Sequence, residues 1–563
     1  MKHKIAPLSF IGIGGWAYQR FEADSNLAGG PEHVNFGLSK DGEQLGISTA
    51  AGMLIDGIPF GPQAVGLSQG RLPDGTTNIV GFPGTASPGD PNYLLLTNVV
   101  VNEALSHSDP PFEDAIELLN LTASPVNLGG WYLSDAKHDL KKYQIPPGTS
   151  LPGNGFKVFY EYQLYDTNTG FGFSLNSARG DEIYLAQTTV ADALTGYRAQ
   201  VSFGAAENGV SFGRYVTSLG ESHFVAMSQR TFGSDNPDTV EQFRTGTGLA
   251  NSAPKVGPIV ISEIMYHPPD IGGTNDDTLN EFIELRNITA INQPLHHPVF
   301  QTNAWKLMKG VSFPFSPATS IPANGFLLVV SFDPGNTTQS NAFRTRYNVP
   351  ANTAIVGPWS GKLDNGGESV ELYKPDAPQV APDPDAGFVP YVLADKVDYS
   401  DAAPWPGADG DGQSLQRVRV SEYGNDPINW IAATPTAGTQ GSSPDSDADG
   451  MDDAWEQSFF HTLARDGTGD FDGDGLTDLQ EFQAGTDPTV ASSLLRLSVV
   501  RMSPPMLQFD AVANKSYAVE YKNALNAASW TLLQAVPAGT ARSVQISDPS
   551  SAPISRFYRV RTP

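Results

Sequence analysis

Near the C-terminus, DSDADGMDDAWE at 445–456 and DFDGDGLTDLQE at 470–481 each place a carboxylate on every second position and then a glycine. That spacing suits a hard divalent cation. Calcium takes about six to eight oxygens, and a short loop can supply them only if the backbone turns sharply partway through. The first segment offers Asp445, Asp447, Asp449, the backbone carbonyl of Met451, Asp453 and the closing Glu456, with Gly450 at the turn. The second offers Asp470, Asp472, Asp474, the carbonyl of Leu476, Asp478 and Glu481, with Gly475 at the turn. An acidic, solvated linker is also rich in Asp and Gly, but it would not repeat the full twelve-residue pattern twice.

Each loop runs into a stretch with apolar residues at helical spacing: Trp455, Phe459, Phe460 and Leu463 after the first, Leu479 and Phe482 after the second. No helix is expected ahead of either loop, because Ser443 and Pro444 precede one and Gly467 and Gly469 the other. These EF-hand-like loop-then-helix units resemble the tandem calcium repeats of dockerins and thrombospondin type 3 segments, and GTDP at 485–488 is the tail that such bacterial repeats carry. The resemblance implies Ca2+ as the bound cofactor. Crowded carboxylates repel one another, so ion binding should be coupled to local folding.

The rest of the chain reads as many short strands joined by turns, with 57 Gly and 44 Pro among 563 residues, enough for roughly four domains. There is no cysteine, which removes disulfides and thiolate zinc sites. With 34 Lys plus Arg against 61 Asp plus Glu, the net charge of −27 disfavours nucleic acid and anionic membranes as partners. No apolar run approaches the ~20 residues of a membrane span. At the N-terminus, MKHK followed by IAPLSFIGIGGWAY reads either as a leader without a clear cleavage site or as a chain that starts inside a domain.

An internal repeat organises the first 440 residues. FGLSKDGEQLGI at 36–47, FGFSLNSARGDEIYL at 171–185 and WSGKLDNGGESVELY at 359–373 share an apolar start, a Gly turn, an acidic residue and an alternating strand, and each predicts a hairpin. IPFGPQAVGLSQGRL at 58–72 matches VSFGAAENGVSFGRY at 201–215, with VDYSD at 397–401 and GQSLQRV at 412–418 as a looser third copy. Upstream, VVVNEALS at 99–106 with AIELLN at 115–120 and Trp131 has a counterpart in IVISEIMY at 259–266 with EFIELRN at 281–287 and Trp305. IPPGTSLPGNGF at 145–156 parallels SPATSIPANGF at 316–326. This order of features resembles the lamin-tail domain, an immunoglobulin-like β-sandwich that bacteria repeat in secreted proteins. The first block lacks the front half, which predicts either a chain cut from a longer parent or substitute strands from residues 5–20. Residues 493–563 alternate apolar and polar positions and predict a small antiparallel β-domain, similar to the C-terminal modules of large secreted bacterial proteins.

Other groups have bland explanations. GxSxG at 66–70 and 209–213 would be a hydrolase elbow if a helix followed, but both copies sit in the repeat and read as turns. His107 and His267 are repeat-equivalent and read as structural. Glu103, Glu117, Glu263 and Glu284 invite a paired-carboxylate site, yet their period-two placement puts them on a solvent face or a module seam. Trp131, Trp305 and Trp530 read as core anchors. Trp16, Trp405 and the tyrosines near 160–165 read as core or rim packing, with a carbohydrate-stacking surface as the alternative.

The resulting reading is mainly β, with tandem immunoglobulin-like (lamin-tail) β-sandwiches, a short α-helical EF-hand-like calcium segment and a small C-terminal β-domain. The boundaries are 1–95 (partial module), 96–240, a linker at 241–257, 258–440, the calcium segment at 441–492, and 493–563. It is read as a non-enzymatic, secreted or cell-surface structural or adhesion protein, with a cell-surface protein or polysaccharide as partner and no membrane insertion. The alternatives are the accessory region of a larger secreted enzyme (hydrolase, nuclease or spore-coat-type kinase), or a set of glycan-binding modules.

Overall fold

The computed structural model describes residues 3–6, 11, 18–166, 169–233, 237–381, 385–439, 447, 449–502, 504–512, 517–524, 530–536, 541–548 and 556–562. The chain is mainly β. Over 94–226, one sheet runs in the order Phe156–Tyr160, Ala115–Asn120, Val99–Leu105, Phe212–Val216, Ser222–Ala226. The facing sheet runs Tyr143–Gln144, Tyr132–Ser134, Asp181–Thr188, Leu194–Phe203, Leu94–Leu95. Alternate residues of the two sheets meet in one core of Val99, Val101, Ile116, Leu118, Leu133, Ile183 and Leu185, capped by Trp131. This is the packing that period-two alternation requires of a sandwich.

The strand order recurs over 259–433. Phe326–Val330, Phe282–Asn287, Ile259–Met265, Ser414–Arg417 and Trp430–Ala433 form one sheet, extended by Ala354–Val356. Val311–Pro314, Lys306–Lys309, Gly367–Pro375 and Tyr391–Ser400 form the other, extended by Ser360–Gly361. Ile261, Ile283, Leu285, Leu307, Val370 and Leu372 fill its core beside Trp305.

The asparagine that ends each EL strand explains its own motif. Asn120 is fully buried and donates to the carbonyls of Ser124, Leu151 and Pro152, while its Oδ1 accepts from the amide and hydroxyl of Thr122. Asn287 does the same with Ile291, Ile321, Pro322 and Thr289. One amide thus ties two loops to the sheet in each sandwich.

The three expected hairpins are present as Glu43–Ser48 with Leu54–Phe60, Asp181–Thr188 with Leu194–Phe203, and Gly367–Pro375 with Tyr391–Ser400. Their shared glycine is needed for space as well as conformation. A Cβ on Gly42, Gly180 or Gly367 would lie within 2.8, 2.1 or 2.5 Å of the carbonyl oxygen of Phe60, Phe203 or Tyr399. The acidic residue after it closes the turn: Glu43, Asp181 and Glu368 accept from the amides of Ser39, Asn176 and Asp364.

In the first block, the described residues give this hairpin and a second one, Ser68–Arg71 with Ile79–Phe82, each a two-stranded sheet, preceded by a 3-10 turn at Leu27–Gly29 and isolated bridges of Glu22 with His33 and Asp24 with Gly37. Residues 3–6, 11 and 18–20 form no strand, so the substitute strands expected from 5–20 do not occur among the described residues.

Polar contacts join the two sandwiches. Arg179 grips Asp385 with two N–H donors, Glu207 accepts from Lys255 and Lys374, and Asp426 accepts from the Ser218 amide. The described strands between 498 and 561 form two three-stranded sheets around Leu507, Phe509, Tyr517, Val519 and Ile546. Trp530, expected in that core, is half-buried beneath Lys522 and Arg559 instead. Trp405 packs on Trp430 at 6.2 Å, and Tyr160 is buried whereas Tyr162 is exposed under Arg244. Trp16 lies outside the described residues. Among the described residues no helix is long and apolar enough to cross a membrane.

Candidate metal centre and buried carboxylates

The second loop is fully described. Asp470 accepts from the amides of Gly473 and Gly475, Asp472 Oδ1 from Asp474, and Asp474 Oδ1 from Leu476. Gly475 takes a φ of 99°, a conformation open to glycine, and carries the chain round these carboxylates. One oxygen from each of Asp470, Asp472 and Asp474 lies within 4.8 Å of the others. The loop then enters the helix Asp478–Ala484, capped by Thr477, which puts Glu481 in the first turn with no exposed surface.

Three oxygens decide what the loop suits. Asp472 Oδ2, Asp474 Oδ2 and Glu481 Oε2 are shielded from solvent and have no hydrogen-bond partner. Burying such atoms is costly unless something positive meets them. Burial, followed by the charge of Asp472, pushes Glu481 up to about 7. Acceptors without donors, buried in and beside the aspartate trio, fit a small oxygen-seeking cation.

Asp478 is placed differently. Its Oδ2 pairs with Arg465 at 2.6 Å and its Oδ1 accepts from the Phe471 amide, so both oxygens are engaged outside the aspartate trio. The ligand spacing of the loop does not point to the Arg465 partnership.

The first loop repeats this plan where it is described. The Met451 amide donates to Asp449 Oδ1, as Leu476 does to Asp474, and Gly450 takes a φ of 92°. Asp447, Asp449 and Glu456 each bring one oxygen within 4.8 Å of the others. Asp453 opens the helix Asp453–Phe460, and Glu456 is fully buried. Asp445 lies outside the described residues. The helix is shorter than expected: His461 takes a left-handed conformation at φ 56°, leaving Leu463 beyond its end.

Aromatic rings bind the two units together. Trp455 lies 5.1 Å from Phe459 and 5.2 Å from Phe482, and Phe460 lies 5.3 Å from Phe471. A Cβ on Gly467 would sit 2.9 Å from Leu479, so the linker passes tightly against the second helix.

The four glutamates expected on a solvent face or seam are instead among the most deeply buried groups, between 0 and 2% exposed. A β-bulge precedes Glu103 and Glu263, and shifts each into direct opposition with Glu117 or Glu284 on the neighbouring strand. The surroundings match. Ser211 and Ser414 donate to Glu103 and Glu263 at 2.5 Å, and the amide and hydroxyl of Thr231 and Thr436 bind the same carboxylates. Asn102 and Ser262, at the bulges, donate to Glu117 and Glu284. The GxSxG serine at 211 is therefore a donor to a buried glutamate. His107 and His267 diverge: one contacts the Ala206 carbonyl, the other Asp409 and Asp270.

The Lamin Tail Domain family model matches residues 96–198, the greater part of the first complete sandwich. No curated protein gives a match. Among solved structures, a DUF4876 family protein from Bacteroides thetaiotaomicron VPI-5482 is similar at 10% identity and a TM-score of 0.20, over 46% of this chain and 86% of that one.

Proposed function

We propose that this chain is a secreted or cell-surface, non-catalytic architectural protein in which repeated lamin-tail modules are joined, through a calcium-stiffened segment, to a C-terminal β-domain. The observation that carries this reading is the set of inward, partnerless oxygens on Asp472, Asp474 and Glu481. A calcium ion would be held there by Asp470, Asp472, Asp474, the Leu476 carbonyl and Glu481, and in the first loop by Asp445, Asp447, Asp449, the Met451 carbonyl, Asp453 and Glu456. Its role is to offset the mutual repulsion of these carboxylates and so fix the two helices against each other.

The modules serve as spacers or as an adhesive surface for a protein or polysaccharide partner. Supporting this, their matching buried glutamates are tied to their own chains by matching donors, which serves rigidity. Titration calorimetry on the full chain tests the metal reading: two calcium ions should bind with affinities in the micromolar to millimolar span, and Asp474→Ala should abolish one. Absence of heat, with a melting curve indifferent to calcium, would reject it.

A further inference from the structure

Where the first block meets the first complete sandwich, the chain encloses a cavity of about 280 Å³, lined from one side of the seam by residues 73–74 and 91–93 and from the other by 140–141, 186–187, 192–194 and 196–198. The seam beside it is tightly made. Leu72 is buried, and a Cβ on Gly196, which takes a φ of 83°, would lie 2.2 Å from its Cδ1. Leu94–Leu95 runs parallel to the sandwich strand and pairs with Tyr197 and Arg198. Backbone contacts thus hold both sides in place, as in a pre-formed ligand pocket. At about 30 Å³ per water the space equals roughly nine waters, room for one small ring.

Arg198 is the group in this cavity that the fold does not satisfy. It is 5% exposed, with its guanidinium 3.7 Å from the ring centre of Tyr93 and 5.0 Å from that of Tyr184. Its side chain makes one hydrogen bond among the described residues, from Nε to Gln200 Oε1 at 2.9 Å, and Gln200 in turn donates to the Tyr93 hydroxyl at 3.0 Å. Nη1 is shielded and has no hydrogen-bond partner. A buried cation with its terminal donors unmet is costly until an acceptor arrives, and the planar fork matches a carboxylate. Two carboxylates narrow the choice of ligand. Asp192 is occupied by Tyr132 and Lys141. Asp74 accepts from the Tyr18 hydroxyl and the Asn92 amide through Oδ2 alone, which leaves Oδ1 open. Beyond its own carboxylate the ligand therefore has to bring donors. An ammonium brings three N–H groups, too many for one open oxygen, whereas a hydroxyl brings one.

We propose that this cavity binds an acidic sugar, a uronic acid taken up free or as a residue of a polysaccharide. Arg198 grips the carboxylate through its terminal nitrogens, Asp74 accepts from a ring hydroxyl, and Pro73, Pro91 and Leu194 offer apolar surface to the C–H face of the ring. The site names the partner within the polysaccharide reading of the modules and rests on that reading. It makes no use of the acidic loops, so this proposal and the calcium titration can each fail alone.

The test titrates the full chain with glucuronate and galacturonate, read by calorimetry and by saturation-transfer NMR. Binding with a Kd on the order of 1 mM is expected, and glucose and galactose, which lack the carboxylate, should bind about tenfold more weakly or worse. Arg198→Gln should abolish the preference for the acids. Ala193→Trp, at an exposed position on the cavity lining, should block binding with the melting temperature unchanged, which keeps the test decisive if the Arg198 change unsettles the seam. A galacturonate oligomer that binds more tightly than the monomer assigns a polysaccharide, and equal affinity assigns the free sugar acid. No binding at ~50 mM uronate, neutral sugars bound as well as the acids, or Ala193→Trp binding like the parent would overturn the proposal. So would acetate or L-leucine displacing the uronates at equal concentration, because the sugar body would then contribute nothing.

Discussion

Glu103 and Glu117 stand directly opposite each other on neighbouring strands, both without exposed surface, with Ser211 and Thr231 bound to the first and Asn102 to the second. Two like charges in that position are mutually unfavourable. Burial, reinforced by Glu103, pushes Glu117 up to about 8, and burial raises Glu103 as well. Glu263 and Glu284 are raised for the same reason, burial first and, for Glu284, the Glu263 charge next.

Stability should therefore depend on pH with a definite sign. A carboxyl whose folded value lies above its unfolded one holds its proton more tightly in the native state. Its contribution is complete below the unfolded value near 4.5 and is lost as pH rises through the folded value near 8. Each unit of difference corresponds to about 1.4 kcal/mol, so a few kcal/mol are at stake. Urea unfolding between pH 5 and 9 should show Glu117→Gln catching up with, then exceeding, the parent chain at alkaline pH. Parallel curves would refute the assignment.

Asn120→Ala removes one side chain that serves three carbonyls, an amide and a hydroxyl. Stranding buried carbonyls costs about 1–3 kcal/mol each where water cannot reach them. A loss of about 3 kcal/mol in chemical denaturation is expected, with a comparable loss for Asn287→Ala. A change below about 1 kcal/mol in both would show that water takes over the role.

At the seam, Lys374 is held by Glu207 at 2.6 Å, and burial lowers the lysine's affinity for its proton. Glu207→Ala should cost about 3 kcal/mol by leaving that cation without its partner. Replacing both residues by methionine should restore most of it. If the double change is as damaging as the single one, packing rather than charge governs this contact.

Arg465→Ala frees the Asp478 carboxylate at the mouth of the second helix. Calcium binding to the second loop should survive, because Asp470, Asp472, Asp474 and Glu481 are untouched, while the calcium-free chain melts lower by a few degrees. Loss of the second ion would instead make Arg465 an essential positioning residue for the loop.

The architecture was legible wherever a residue type was forced by backbone geometry. Gly42, Gly180 and Gly367 tolerate no Cβ, Asn120 and Asn287 have no substitute of the same shape, and the loop aspartates repeat at ligand spacing. The buried glutamates were misplaced because alternation alone does not say which face is covered. In both sandwiches the residues that cover them, Thr231 and Thr436, lie far along the chain. The recurrence of Ser211 and Ser414 ahead of those threonines is the available signal, although the GxSxG spacing around Ser211 by itself reads as a turn. Arg465 was invisible because it reaches Asp478 across a linker without periodicity.

Thr436 and Gly438 hold the Glu263 and Glu284 carboxylates only a few residues before the first acidic loop begins, and Asp452 of that loop lines the same cavity of about 140 Å³. With calcium held as proposed, a pull on the C-terminal end would reach the sandwich through a side-chain anchor in series with the acidic turns. Such an arrangement would make the joint a load-sharing coupling, in which tension falls on the acidic turns and on the buried carboxylates before any strand is sheared.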